Sequence, residues 1–238
     1  MKRNKEPNKI VIALDNDVDE GFDLVDQIEN NTDIKNMIYG YKVSSLWILE
    51  YGLEVLKDLY FDSAEEHTVI LDMQKWPTDT PAIVIKQVNK ITGTNSVDEL
   101  IACPMGGGRK SFEAFVQTCK ENTVRPLCVL EMTHPESNFY LGEMYHMKIL
   151  QDAATFGVDG FIIPATKEPR QGIKIFLEET FPNLRTEFYA TGFDIQERHI
   201  KPMRDFGVSK YIIGREIYDA KDPGQAIMDI YKKINQKG

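Results

Sequence analysis

The feature of the sequence that most constrains its fold is a repeated alternation of short β-branched segments with longer segments of helical periodicity. Short, nearly continuous apolar runs are typical of strands that are buried on both faces. Each run is followed by a segment with apolar residues at spacings of three and four, the pattern of a helix with one buried face. The alternation therefore predicts a parallel sheet covered by helices.

Eight such strand–helix units follow one another without a linker, a low-complexity segment or a shift in composition. The predicted strands lie at 9–15, 37–43, 68–73, 98–103, 125–132, 160–165, 185–191 and 210–217. Eight units in 238 residues fit a closed barrel better than an open doubly wound sheet, because such barrels commonly have about 250 residues. We therefore expect an α/β protein with a single-domain (β/α)8 TIM barrel over 1–238, beginning with a short charged tail at 1–8.

The second helical segment, SSLWILEYGLEVLKDLYF, shows the helical period most clearly. Its apolar positions are Leu46, Leu49, Leu53, Leu56 and Tyr60, which are separated by three or four residues. This spacing places all five side chains on one face of a continuous helix. We therefore expect the Leu and Tyr series to pack in the core.

The charge balance limits the classes of partner. The chain has 37 acidic and 28 basic side chains, for a formal net charge of −9. Surfaces that bind nucleic acid are basic, so no nucleic-acid partner is expected. A phosphorylated small substrate remains compatible with this charge, because it needs only a local positive site.

The cysteines and histidines give no sign of a metal site or a disulfide framework. The three cysteines lack C-x-x-C spacing, and the four histidines are scattered along the chain. The pattern favours a reducing compartment. The start, MKRNKEPNK, lacks the apolar core of a signal peptide, and no run reaches the roughly 18 apolar residues of a membrane span. We expect a cytoplasmic enzyme or binding protein with no membrane partner.

Charged residues follow several predicted strands. Asp15 ends the first strand, Lys42 the second and Asp72 the third; Lys75 lies just beyond Asp72, and Arg215 follows the eighth strand. In (β/α)8 barrels the chemistry sits at the C-terminal ends of the strands. Lysine and aspartate are rarely buried without partners. A structural ion pair would account for one pair of these residues, but accounts less well for a barrel mouth lined by all five.

Motifs at the strand ends resemble those of a known family. ALD ends the first strand and YKV the second, and an Asp/Lys/Asp cluster follows the third. EMTHP, PAT, TGFDIQ and IIGREIY follow in order at strands five to eight. Together, over residues 10–218, these motifs resemble the orotidine 5′-monophosphate decarboxylase family. The resemblance implies decarboxylation of orotidine 5′-monophosphate to uridine 5′-monophosphate in de novo pyrimidine biosynthesis, without a metal or organic cofactor.

The resemblance also implies which residues form the site. The charged catalytic array corresponds to Lys42, Asp72, Lys75 and Asp79. In the family the last aspartate reaches into the neighbouring subunit's site, so Asp79 implies a homodimer. Asp15 corresponds to the carboxylate that holds the ribose, and Thr133 to the hydroxyl residue that reads the pyrimidine. Gln196 and Arg215, with the backbone at Gly192 and Gly214, correspond to the phosphate site; Thr80 and Thr191 are the remaining substrate-binding residues.

The chemistry of this decarboxylation explains the residue types. Loss of CO2 from C6 of orotate leaves a carbanion in the ring plane that cannot delocalise, and no cofactor serves as an electron sink. A fixed cation beside C6 can stabilise that charge, and an ammonium can also deliver the proton. We assign both roles to Lys75. Asp72 would repel the substrate carboxylate and hold Lys75 charged, whereas Lys42 offsets the negative charge.

The spacing on strand three departs from the family pattern. The usual order is Asp-x-Lys-x-x-Asp, but here it is Asp72-x-x-Lys75-x-x-x-Asp79. Because side chains alternate along a strand, one added residue turns Lys75 to the wrong face. A β-bulge at Met73–Gln74 would absorb the extra residue and direct the lysine into the barrel mouth. The alternative is a displaced Lys75 in an inactive or altered relative.

Two other functions compete with this prediction. Metal-dependent 3-keto-gulonate-phosphate decarboxylases and hexulose-phosphate synthases resemble the same barrel, but carry a glutamate on strand two that helps to bind Mg²⁺. Lys42 stands there in this chain, and its positive charge would repel a metal ion. A catalytically silent nucleotide-binding barrel is the third possibility, and predicts binding of a uridine monophosphate analogue without turnover.

Overall fold

The computed structural model describes residues 7–63, 66–73, 77–133, 136, 145–192 and 197–236. Within these residues eight parallel strands pair in sequence order, and β1 also pairs with β8 to close the barrel. The strands are β1 (Lys9–Leu14), β2 (Ile38–Ser44), β3 (Thr68–Asp72), β4 (Glu99–Ala102), β5 (Arg125–Val129), β6 (Gly160–Pro164), β7 (Glu187–Thr191) and β8 (Lys210–Ile213). The predicted (β/α)8 barrel is confirmed.

Helices connect successive strands and cover the outside of the barrel. In the described residues they are α1 (Val18–Glu29), α2 (Thr32–Lys35), α3 (Ser45–Tyr51), α4 (Glu54–Asp62), α5 (Pro81–Thr92), α6 (Gly108–Glu121), α7 (Tyr145–Phe156), α8 (Gln171–Thr180), α9 (Glu197–Phe206), α10 (Arg215–Tyr218) and α11 (Pro223–Asn235). None of them has the length and apolar character needed to cross a membrane.

Alternation of side chains along the strands produces two cores. Val11 and Ala13 point into the barrel, where they join an inner cluster with residues such as Ile101. Ile10 and Ile12 point outward and pack against the covering helices in a larger outer cluster. Both faces of the sheet are therefore apolar, which explains why the strands read as nearly continuous hydrophobic runs.

The strand predicted at 210–217 is shorter in the structure. It ends at Ile213, and residues 215–218 form the short helix α10. The chain leaves the sheet at Gly214, whose φ of −117° and ψ of −95° are not those of a strand. The Ile217 amide then donates to the Gly214 carbonyl at 2.8 Å, which closes the first helical turn.

The predicted core packing of the second helical segment is wrong for two residues. Leu56 is buried, and Leu53 and Tyr60 pack against the outer core, but Leu46 and Leu49 are 59% and 82% exposed. The cause is a break in the helix: α3 ends at Tyr51, the next residue, Gly52, has a φ of +72°, and α4 begins at Glu54. The period therefore does not run through a single helix.

Trp47 fills the position under α3 that the leucines were expected to occupy. Its ring is buried beside Phe22, with ring centroids 5.5 Å apart, and its indole N–H donates to the Asn16 carbonyl at 2.9 Å. The larger apolar area of the tryptophan therefore faces the barrel. Leu46 and Leu49 are left on the outer surface of α3.

The two ends of the described chain are joined beside β1. The Asn8 amide N–H donates to Asn235 Oδ1 at 2.7 Å, and Asn235 Nδ2 donates back to the Asn8 carbonyl at 3.0 Å. The buried Asn8 side chain also donates to the Ile234 carbonyl at 2.8 Å. Of the predicted N-terminal tail at 1–8, residues 1–6 lie outside the described residues.

A charged network closes the N-terminal end of the barrel. The buried Glu99 carboxylate accepts from Tyr39 Oη at 2.7 Å and from Tyr189 Oη at 3.0 Å. Arg125 Nη1 lies 3.2 Å from Glu99 Oε1 and 2.8 Å from Glu187 Oε2. Residues at this end of a barrel serve stability, whereas the opposite end carries the chemistry.

Candidate active site

A cavity of about 790 Å³ opens at the C-terminal ends of the strands. Eight of the predicted site residues line it, namely Asp15, Lys42, Asp72, Thr133, Thr191, Gly192, Gly214 and Arg215. They come from six different strand ends and are separated by up to 200 residues in sequence (15 to 215). Closure of the barrel therefore brings the predicted residues to one cavity.

Lys42 lies at the centre of the charged part of this cavity. It is 6% exposed, and its Nζ is 2.9 Å from Asp15 Oδ1 and 3.0 Å from Asp72 Oδ2. Burial by itself would lower the pKa of the lysine, but the charges and hydrogen bonds of the two carboxylates raise it above its usual value. Lys42 is therefore an ammonium that bridges the ends of β1 and β3.

Strand register explains why these three side chains meet. Lys42 pairs with Ala13 of β1 and with Ile70 of β3, so it sits between the two strands. Gly40, two residues earlier, allows β2 to approach β3 closely, because a Cβ there would lie only 2.0 Å from the Thr68 carbonyl oxygen. The three polar groups thus sit within hydrogen-bonding distance at the cavity floor.

The ends of β7 and β8 form a second, less acidic wall. Gly192 has a φ of +78°, a left-handed conformation that strongly favours glycine. A Cβ at Gly192 would lie 2.6 Å from Thr133 Cγ2, so the glycine also allows the β5 and β7 ends to meet. With Gly214 and Arg215 on the same wall, the cavity presents turn backbone and a guanidinium. Such groups suit a phosphate.

Three apolar residues form a further wall to which the sequence motifs assign no role. Ile101, Val129 and Ile162 come from β4, β5 and β6, and all three line the cavity. They belong to the inner cluster of the barrel, so their side chains point inward. Their position in the sequence could have identified them, because each is an inward-facing apolar residue at or near the C-terminal end of its strand. This wall can contact a flat, weakly polar ring.

Glu131 and Thr166 also line the cavity and were not predicted as site residues. Glu131 is buried, and its carboxylate pairs with Lys167 and Arg170 from the segment that follows β6. The Thr166 hydroxyl is 3.4 Å from the Thr133 carbonyl, to which it donates. Sequence could place Glu131 near a strand end but could not name its partners, which lie 36 and 39 residues later.

Asp79 and Thr80 are described but are not among the residues that line this cavity. Both are exposed, and the Asp79 carboxylate accepts a hydrogen bond from the Thr80 amide at 2.6 Å. Ser111 Oγ donates to the Asp79 carbonyl at 2.6 Å, which ties this segment to the start of α6. The fold of one chain therefore does not bring the Asp79 side chain into its own cavity.

Two predicted site residues, Lys75 and Gln196, lie outside the described residues. So does Gln74, and the predicted bulge at Met73–Gln74 is therefore not tested. The described part of the strand ends at Asp72, and Met73 packs against the outer core. In the described residues no group of three or more His, Cys, Asp or Glu side chains is arranged to hold a metal ion.

Comparisons with known proteins agree with this architecture. The sequence matches the orotidine 5′-phosphate decarboxylase / HUMPS family over residues 8–230. It is 25% identical to the orotidine 5′-phosphate decarboxylase of Methanosarcina mazei over 236 residues, covering 98% of this chain and 97% of that protein. It is 25% identical to the enzyme of the same name from Pyrococcus abyssi over 228 residues, covering 94% and 98% of the two chains.

Solved structures show the same fold. The crystal structure of orotidine 5′-monophosphate decarboxylase from Methanocaldococcus jannaschii with the inhibitor BMP superposes with a TM-score of 0.78 at 22% identity, covering 97% of this chain and 99% of that one. The corresponding enzyme from Pyrococcus horikoshii gives a TM-score of 0.77 at 23% identity, covering 96% and 100%. With a family match that spans nearly the whole barrel, the chain belongs to the orotidine 5′-phosphate decarboxylase / HUMPS family.

Proposed function

We propose that this protein decarboxylates orotidine 5′-monophosphate to uridine 5′-monophosphate, as a cytoplasmic enzyme of de novo pyrimidine biosynthesis. The observation that carries the proposal is the buried Lys42 ammonium, held by Asp15 and Asp72 at the cavity floor. The metal-dependent 3-keto-gulonate-phosphate decarboxylases and hexulose-phosphate synthases, which the sequence also resembles, have a glutamate at this position. A fixed cation there favours the cofactor-independent reaction over the metal-dependent ones, because it opposes binding of Mg²⁺.

The cavity offers a partner for each part of the nucleotide. Asp15 would accept a hydrogen bond from a ribose hydroxyl, and Arg215 with the Gly192 and Gly214 backbone would hold the phosphate. Thr133 would read the polar edge of the pyrimidine. The apolar wall would contact the ring face, and its members are Ile101, Val129 and Ile162. A cavity of about 790 Å³ is in the usual range for sites that bind small molecules.

In the proposed reaction the bond between C6 and the carboxylate carbon breaks and its electron pair remains on C6. The Lys75 ammonium stabilises this pair and then donates a proton to form the C6–H bond. Asp72, buried beside Lys42, would face the substrate carboxylate and keep the array charged.

The first prediction concerns turnover. Purified protein in excess EDTA should convert orotidine 5′-monophosphate, followed by ultraviolet absorbance. Lys75→Ala should lower the rate by a factor of about 10²–10⁴ or more, because it removes the proton donor and the cation, while uridine 5′-monophosphate still binds. Lys86→Ala, on the exposed face of α5, is the matched control and should leave the rate unchanged.

Each other outcome points to another function. Turnover that appears only after Mg²⁺ is added would support a metal-dependent relative. Binding of uridine 5′-monophosphate without turnover under any condition would support a silent nucleotide-binding barrel. Near-normal activity of Lys75→Ala would show that the proton comes from another group.

We also propose that the enzyme is a homodimer in which Asp79 completes the partner subunit's site. Asp79 is exposed and does not line its own cavity. On α3, which follows the strand of Lys42, Leu46 and Leu49 are exposed apolar side chains. Exposed apolar residues grouped on one helix are typical of an interface. A second copy that covers them would be close to the mouth of the barrel.

The second prediction tests this arrangement by mixing two inactive variants. Lys75→Ala supplies an intact Asp79, and Asp79→Asn supplies an intact Lys75. Subunits exchanged at random should recover about one quarter of wild-type activity, because half of the dimers are mixed and each mixed dimer has one complete site. No recovery after verified subunit exchange would show that Asp79 acts within its own chain or not at all.

A further inference from the structure

We propose that Glu131 is a positioning residue that clamps the ends of β5 and β6 together and thereby holds Thr133 where it reads the pyrimidine base. The inference rests on the proposed function and deepens it, because it assigns the base-reading geometry to a charged group that does not itself contact the base. We refer to Glu131, Lys167 and Arg170 as the β5–β6 clamp.

The contacts of Glu131 are those of a fixed anion. The residue is 7% exposed, Lys167 Nζ donates to its Oε1 at 2.8 Å, and Arg170 Nε lies 3.5 Å from its Oε2. Burial alone would raise the pKa of this carboxyl, but the two cations outweigh burial and hold the pKa below its usual value. The carboxylate is therefore ionised, and each of its oxygens faces a cation.

The clamp lies directly beside Thr133. Glu131 precedes Thr133 by two residues, and Lys167 is adjacent to Thr166, whose hydroxyl is 3.4 Å from the Thr133 carbonyl to which it donates. Two ion pairs and one hydrogen bond thus join the segment after β5 to the segment after β6. Loss of both ion pairs would leave, of these three contacts, only the 3.4 Å hydrogen bond from Thr166 to Thr133, which is near the limit of useful length.

The position of Thr133 is sensitive to small movements. Its methyl group would lie 2.6 Å from a Cβ at Gly192, and Thr166 Cγ2 would lie 3.6 Å from the same point. The Thr133 side chain is therefore packed where the ends of β5, β6 and β7 converge. A small shift of the β5 end would move the hydroxyl away from the base, and such misplacement is costly in a preorganised site.

A direct chemical role for Glu131 fits the geometry less well. An ionised carboxylate can only accept hydrogen bonds, and both of its oxygens already face cations. Near an anionic nucleotide an uncompensated carboxylate would be repulsive. Pairing with Lys167 and Arg170 offsets that charge, so the group can serve as a structural link on the cavity wall.

The test compares two probes that differ by the base. Uridine 5′-monophosphate carries ribose, phosphate and pyrimidine, whereas ribose 5-phosphate lacks the pyrimidine. Titration calorimetry on Glu131→Gln should show an affinity for uridine 5′-monophosphate lowered about tenfold, or about 1.4 kcal/mol. Affinity for ribose 5-phosphate should change by less than about twofold, because the phosphate wall at Gly192, Gly214 and Arg215 does not depend on the charge of Glu131.

Lys167→Met gives a second variant whose folding is less at risk, since Lys167 is partly exposed. It should show the same selective loss of affinity for uridine 5′-monophosphate. Glu187→Gln is the matched control: Glu187 is also a carboxylate paired with an arginine and a lysine, but at the opposite end of the barrel. It should leave the ratio of the two affinities unchanged.

The outcomes separate the inference from the function on which it rests. Equal weakening of both probes in Glu131→Gln and Lys167→Met, or no change in either probe, would overturn the clamp while the proposed function stands. A wild-type protein that binds neither probe would overturn the proposed function, and the role of the clamp in base reading with it.

Discussion

Lys42 shows how the barrel stabilises a buried charge at the residue scale. An ammonium removed from water is costly by several kcal/mol, unless the protein supplies compensating charges and hydrogen bonds. Asp15 and Asp72 supply them at 2.9 and 3.0 Å, and they raise the pKa of the lysine above its usual value. The three residues therefore form a coupled unit, so that a change in one alters the charge balance of the others.

The third prediction follows from this coupling. Lys42→Met should abolish turnover and lower the free energy of unfolding by about 3–5 kcal/mol, because it removes the ammonium between two carboxylates, one of which is buried. Urea denaturation followed by circular dichroism measures the loss. Lys57→Met, which removes an exposed ion pair with Glu54, is the control and should cost less than about 1 kcal/mol. Equal stability of the two variants would contradict the coupling.

At the scale of elements, the first strand and the last helix depend on each other. Asn8 and Asn235 exchange hydrogen bonds between the residue before β1 and the last residue of α11. The pairing of β1 with β8 closes the barrel, and this link fixes the start of β1 to the covering helix α11 next to that pairing. Its bonds join residues 227 positions apart, so they stabilise the closed barrel rather than a single element.

The fourth prediction tests this link. Asn235→Ala should lower the free energy of unfolding by about 1–3 kcal/mol, because it leaves the Asn8 backbone groups without these partners. Thermal unfolding should show a decrease in Tm of about 2–10 °C. Gln225→Ala, on the same helix but with an exposed side-chain bond to Asp229, should stay within about 0.5 kcal/mol of wild type. If Asn235→Ala and Gln225→Ala had the same Tm, the link would not contribute to the stability of the closed barrel.

At the scale of the whole molecule, the two ends of the barrel have different tasks. The C-terminal end holds the open cavity, whereas the N-terminal end is closed by a network around Glu99, Arg125 and Glu187. Burial would raise the pKa of Glu187, but Lys210 and Arg125 outweigh it and lower the pKa below its usual value. The network thus contributes stability that depends on an ionised carboxylate.

The fifth prediction is the pH dependence of that contribution. A carboxyl with a lowered folded-state pKa contributes stability that is present above its unfolded pKa of about 4.3 and is lost as pH falls through the folded value. The Tm of Glu187→Gln should therefore lie below that of wild type at pH 5–8. The corresponding loss of folding stability is about 1 kcal/mol, since Glu187 is partly exposed. The difference should shrink below about pH 4.

The matching control for the pH experiment is Glu178→Gln, a change at an exposed position of α8. Its Tm should follow that of wild type at every pH, because an exposed carboxylate contributes little to folding stability. A Glu187→Gln difference that is constant down to pH 3 would show that packing, rather than charge, is what the substitution removes.

Several features of this protein follow from local properties of its sequence. Strand and helix periods are local, so eight alternating segments were sufficient to predict the barrel. The barrel in turn places the strand ends together, which is why Asp15, Lys42 and Asp72 could be assigned to one mouth before their distances were known. The motifs at those ends carried the family resemblance for the same reason.

Other features depend on the path of the chain in three dimensions. The leucine spacing of α3 and α4 could not reveal the turn at Gly52, so it assigned the exposed Leu46 and Leu49 to the core. Nothing in the sequence pairs Glu131 with Lys167, because ion pairs form wherever loops bring charges together. The sequence by itself therefore determined the barrel, through its local periodicity, and the residue types at the barrel mouth. Only tertiary packing decided which face of α3 was buried and which charged side chains formed ion pairs.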